Sequence, residues 1–125
     1  MAALKVALRR MREICLPLPD VSESEHFGEA CFRVGRRIFA TCGVKDGVCR
    51  VVVQLESHHA RRLLAEDPRF QPYSRQKDGI WTDASDIEDW DEVSALVLES
   101  YRLNGPDRPP TRAGSKIRKK TGKGS

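Results

Sequence analysis

Apolar residues recur at helical spacing over the first fifteen positions. Leu4, Ala7, Leu8, Met11, Ile14 and Cys15 share one face of a helix predicted over about Ala2–Cys15. Lys5, Arg9 and Arg12 stack at i, i+4 and i+7 on another face, a pattern read as solvated helix surface. Leu16-Pro17-Leu18-Pro19 ends the element, because residues before proline are driven out of the α region. From about Ser24 to Gln54 the period drops to two. Phe32 and Val34 alternate with Cys31 and Arg33, and Ile38, Ala40 and Cys42 alternate with Arg37, Phe39 and Thr41. Gly35-Arg36 reads as a tight turn between two strands, and Asp46-Gly47 as a second hairpin turn. Val48–Val53 is β-branched and apolar on both faces, which predicts an interior strand.

Helical spacing returns at Ser57, read as an N-cap, with Ala60, Leu63 and Leu64 on the core face and Pro68 enforcing the stop after about Asp67. One or two short strands follow, around Tyr73 and at Ile80-Trp81-Thr82, with Asp78-Gly79 turning between them. The last helix opens on an Asp89-x-x-Glu92 capping box and carries Trp90, Val93, Leu96, Val97 and Tyr101 as its apolar stripe. Asn104-Gly105-Pro106 closes it. The order is α, three or four strands, α, one or two strands, α. Hairpins exclude a doubly wound parallel sheet, so the expected fold is α+β: an antiparallel sheet with helices packed on one face.

The 125 residues suffice for one core. They divide into an α+β domain over 1–104 and a basic tail over 105–125. In the tail only Ala113 and Ile117 are apolar, too few to offset its ordering entropy, so it is expected to be disordered in solution. The tail holds seven Lys/Arg and one acid, a net +6; the first 104 residues hold 15 Lys/Arg and 17 Asp/Glu, a net −2. A strongly basic folded domain is thereby excluded, whereas a tail that touches a polyanion is not. No apolar run reaches the roughly 18 residues of a membrane span. The N-terminal stretch lacks a signal-peptide apolar region, so a cytoplasmic location is expected. Cys15, Cys31, Cys42 and Cys49 form no C-x-x-C pair; four reduced, mostly buried thiols are expected, with neither a metal site nor a cofactor.

Several landmarks together resemble the MmcQ/YjbR-like family. These are Leu18-Pro19, then Glu25-His26-Phe27-Gly28, then Phe32-Arg33-Val34-Gly35-Arg36-Arg37-Ile38-Phe39-Ala40. Further along come Leu63-Leu64, Pro72-Tyr73, Trp81 and Ser100-Tyr101. The resemblance spans about residues 3–104. It implies a small α+β domain with an antiparallel sheet, similar to the frataxin and secretion-chaperone folds, and a "double wing" arrangement labelled DNA-binding. Two departures stand out. Ser74–Trp81 replaces a His-Met-Asn-Lys-x-His-Trp-Asn stretch, and Gly35-Arg36-Arg37 replaces Gly-Gly-Lys while keeping the positive charge.

For a nucleic-acid surface the candidates are Arg33, Arg36 and Arg37 on the hairpin, Arg50 on the next-but-one strand, and Lys116, Arg118, Lys119 and Lys120 in the tail. Guanidinium groups on a rigid hairpin can fork onto phosphates. A second constellation, His26, Phe39, Tyr73, Trp81 and Tyr101, either lines a pocket or packs as an aromatic core. The eight acids and no base between Asp78 and Glu99 would repel DNA, so that segment is expected to face away from it. No catalytic motif is found and no enzyme is expected. The first reading is weak, sequence-nonspecific DNA binding. The competing reading is a module that binds an unidentified protein, and a small-ligand domain is the third.

Overall fold

The computed structural model describes residues 2–105. In chain order the elements are α1 (Ala2–Cys15), β1 (Val21–His26), β2 (Glu29–Val34), β3 (Arg37–Lys45), β4 (Val48–Gln54), α2 (Ser57–Glu66), β5 (Phe70–Tyr73), β6 (Gly79–Asp83), a short 3₁₀ turn (Ala84–Asp86) and α3 (Trp90–Asn104). This is the expected α+β order, with four strands before α2 and two after. The strands form one antiparallel sheet in the order β1-β2-β3-β4-β6-β5. β4 is interior, as its doubly apolar pattern requires. No helix among the described residues is long and apolar enough to cross a membrane. Apart from Gly105, the basic tail lies outside the described residues.

Strand register decides which side chains meet the helices. Phe32, Ala40, Cys42, Val51, Val53 and Ile80 share one face and are buried with Met11 and Cys15 of α1 and Val93 and Val97 of α3. Large apolar side chains contribute about 1.5–3 kcal/mol each when fully buried. Leu96 and Tyr101, expected on the same stripe, are half-buried at its margin. Arg12, on the solvated face of α1, forks onto Glu23 of β1 at 3.0 and 2.9 Å.

The simple alternation read for β3 fails at Phe39. Phe32 pairs with Ala40 but Arg33 pairs with Ile38, so β3 carries one extra residue at Phe39. Both Phe39 and Ala40 then belong to the buried core, and Phe39 packs edge-to-face on Tyr101 with centroids 5.4 Å apart. A bulge leaves ladder groups unpaired. Here the buried Ser100 hydroxyl of α3 answers them: it donates to the Phe39 carbonyl and accepts the Gln54 N–H at 3.0 Å.

Two caps differ from the sequence reading. Ser57 does not cap α2; its hydroxyl donates to Asp78, and the α2 N-terminus is closed by Glu99 of α3, which accepts the Glu56 N–H at 2.9 Å. Asp89 does cap α3 by accepting the Asp91 N–H. Glu92, however, does not reach back to complete a box. It turns to Arg69, which also grips Asp67 and holds that carboxyl below the usual carboxylate range. Long-range charged partners outcompete the local cap in both cases.

Replacing Ser100 with Ala strands a buried carbonyl and a backbone N–H together. The Ser100→Ala variant should lose roughly 2–4 kcal/mol of stability, read as a lower urea midpoint with an unchanged slope.

Candidate site on the uncovered face of the sheet

Side chains opposite those that meet the helices define a second face. Register places Arg33, Ile38, Cys31, Thr41, Gly43, Val52, Arg50, Trp81 and Tyr73 there. The segment between Tyr73 and Gly79 rises along one side, so the face is a trough. A hollow of about 420 Å³ has Thr41, Cys31 and Val52 at its floor and Arg33, Arg36, Arg37 and Arg75 around it. The floor is well covered: Val52 is 2% exposed and Thr41 8%. Beside it lies a second hollow of about 220 Å³ bordered by Phe27, Lys45 and Arg50. The two share Glu29, Tyr73 and Arg75.

The wall is built from named hydrogen bonds. Gln54 Oε1 accepts from Asn104 Nδ2 at 3.0 Å and from Gln76 Nε2 at 3.2 Å, and Gln54 Nε2 donates to the Lys77 carbonyl at 3.1 Å. Asn104 Oδ1 in turn accepts from Arg37 Nε at 3.3 Å. The C-terminus of α3 thus fixes both the basic hairpin and the segment that carries Arg75. Arg33 lies across the face, donating to Ser24 and to the Arg36 carbonyl.

Arg50 is the most constrained cation of the face. Its guanidinium sits 5.2 Å from the Trp81 ring centre and 5.7 Å from that of Tyr73. Its partner is Glu29, at 3.9 Å, beyond hydrogen-bond reach. Glu29 folds over Gly43, where a Cβ would come within 2.9 Å of the Glu29 Cα; only glycine admits that approach. Two buried polar atoms among the described residues lack a partner, Thr41 Oγ1 and Arg50 Nε, and both belong to this face.

Of the candidate cations, Arg33, Arg36 and Arg37 come together at one end of the trough, and Arg50 stands on the same face toward the other. Lys116, Arg118, Lys119 and Lys120 lie outside the described residues. The five-residue pocket is not formed. His26, Tyr73 and Trp81 belong to the uncovered face, whereas Phe39 and Tyr101 pack together on the helix side. The bulge at Phe39 is the reason, since it turns that ring away from the trough. Sequence reasoning missed Thr41, Arg75, Glu29 and the exposure of Phe27. Thr41 was legible only as one position in an alternating strand, and Arg75 only as a departure from a family stretch.

The fold and trough define a small single-sheet domain with helices on one side and a basic concave face on the other. The chain belongs to the YjbR family, whose sequence model it matches over residues 16–103. It is also similar to a solved structure, the Deinococcus radiodurans protein DR2400, described with the domain DUF419. That match has 18% identity and a TM-score of 0.63, covering 88% of this chain and 95% of that one. At this identity the likeness speaks for the fold. No curated protein matches the chain.

All four cysteines are free and buried. Burial pushes the Cys15 and Cys42 thiols up to about 12 from an ordinary 9.0, and raises Cys31 and Cys49 as well. The unfolded chain therefore releases these protons first. Their contribution to stability is whole below about pH 9 and drains away as pH climbs toward 12. Unfolding measured from pH 8 to 11 should show that alkaline loss, and Cys15→Ala should flatten it. Native thiols should resist alkylation at pH 8 and react fully in urea.

Proposed function

We propose that this chain is a non-catalytic binding domain for nucleic acid, acting through phosphate contacts without sequence selectivity. The reading rests on one observation: Arg33, Arg36, Arg37 and Arg75 converge around a single trough. Arginine offers a planar fork that matches phosphate oxygens, and rigid strands hold two of these forks, Arg33 and Arg37, in place. Most of the acid-rich stretch between Asp78 and Glu99 belongs to the 3₁₀ turn and α3, in the helical layer. The domain is electrostatically two-sided, with phosphate favoured on the sheet side. The basic tail adds charge from a separate segment.

A binding role also suits the thiols. Groups held far above their ordinary pKa are poor nucleophiles. Free cysteines suit a reducing compartment, and we place the protein in the cytoplasm. The hairpin tips Phe27-Gly28 and Asp46-Gly47 lie at one end of the trough and Gly35-Arg36 at the other. In this reading they are the wings that bracket the ligand.

Binding through phosphates releases counterions, with a slope of about −0.9 per contact in log K against log salt. The full-length chain should bind a mixed-sequence DNA with a steep negative slope. Replacing Arg33, Arg36 and Arg37 with Ala should make that slope shallower by about two to three. Replacing Lys116, Arg118, Lys119 and Lys120 with Gln should make an independent reduction. A triple-Ala variant that matches wild type in affinity and slope would refute a role for the folded domain and leave binding to the tail.

A further inference from the structure

We infer that the trough takes single-stranded nucleic acid, seating a phosphate on Thr41 and Arg50 at its floor and stacking a base on Phe27 at its mouth. The inference deepens the nucleic-acid reading above and rests on it.

Three independent features point to this ligand. First, Thr41 is more than nine-tenths buried, lines the larger hollow, and has a hydroxyl without a partner. Arg50 stands on the adjacent strand two residues along the same face, and its buried Nε–H is likewise unpartnered. A buried polar group left unmatched costs about 1–3 kcal/mol. Thr41 lines the larger hollow and Arg50 the smaller one beside it, and the two hollows adjoin along Glu29, Tyr73 and Arg75, so one oxyanion lowered between them would answer both donors. Trp81 and Tyr73 hold the guanidinium in place before anything arrives.

Second, the donors are recessed. A duplex carries its phosphates on a convex cylinder, which meets the rim arginines but not a floor as covered as Thr41 and Val52. A single strand can lower one phosphate into the hollow and leave its neighbours on the rim.

Third, Phe27 is 85% exposed and stands at the tip of the β1–β2 turn, with φ at 52°. Gly28 follows at φ 80°, so both central residues of the turn are left-handed. Such turns favour Asn or Asp at the first of these positions, as Asp46-Gly47 demonstrates in the next hairpin at that end. A bulky aromatic there costs stability, and it gains nothing from burial. It borders the smaller hollow beside Arg50 and Lys45, and His26 braces its ring at 4.3 Å. An aromatic plane next to cations is the arrangement on which unpaired bases stack.

Glu29 is the one carboxylate shared by both hollows, 3.9 Å from Arg50. It competes with an incoming phosphate, so removing its charge should tighten binding.

The test uses the full chain and fluorescein-labelled 12-nucleotide DNA, single-stranded or annealed to its complement, followed by anisotropy at low salt. Wild type should bind the single strand at least tenfold more tightly. Phe27→Asn should raise thermal stability, because Asn suits the turn, yet weaken single-strand binding roughly tenfold. Thr41→Val, which preserves shape, should weaken single-strand binding several-fold, and in both variants the loss should be larger for the single strand than for the duplex. Glu29→Gln should strengthen single-strand binding. Equal affinity for the two forms would overturn the inference while leaving nucleic-acid binding intact. So would a duplex preference that Phe27→Asn abolishes, which would make Phe27 a wedge between base pairs. Binding of neither form would overturn this inference and the reading beneath it.

Discussion

One extra residue in β3 organises both faces of the sheet. With Phe39 and Ala40 both turned to the helices, Ile38 and Thr41 fall on the opposite side although they are three positions apart. Without that insertion, continuous alternation would put Ile38 and Thr41 on opposite faces. The bulge persists because Ser100 of α3 satisfies the backbone around it. The same contact fixes α3 against the sheet. The core and the trough therefore share one hydroxyl as their common reference point.

From Ser100 the constraint spreads along α3. One turn later Asn104 donates to the Ser100 carbonyl and to Gln54, and accepts from Arg37. Gln54 hands the network on to Gln76 and Lys77, the segment that walls the trough. Side chains from a helix end, an interior strand and a loop are thus held by complementary amide groups rather than by apolar packing. Such networks restrict geometry when every member is satisfied. The rim arginines inherit that order, since Arg37 is a member of the network and Arg75 adjoins Gln76.

Charge is sorted by the same architecture. On the helical side three acids are held by internal partners: Glu99 accepts the Glu56 N–H at the start of α2 and pairs with His59 at 2.8 Å, while Glu92 and Asp67 share Arg69. On the sheet side the cations outnumber their partners. A nearly neutral domain can consequently present one basic face, which net charge alone does not reveal.

Much of the framework was legible in the residues. Helical spacing located α1 and α3, period-two alternation and the Gly35-Arg36 and Asp46-Gly47 turns located the central hairpins, and a doubly apolar run marked β4 as interior. Each of these signals is local, decided by residues within one or two turns of each other. The hairpin cations were legible for the same reason. What required the tertiary structure was every feature that joins distant segments. Phe39 broke alternation because Ser100, 61 positions away, answers its carbonyl. Ser57 and Glu92 abandoned their local caps for Asp78 and Arg69. The aromatic set drawn from sequence was divided between two faces by that single bulge. Thr41, an ordinary strand residue by composition, became the floor of a site because register set it beside Arg50. Spacing along a chain encodes which face a residue takes within its own element; which residues meet is decided by register and packing between elements.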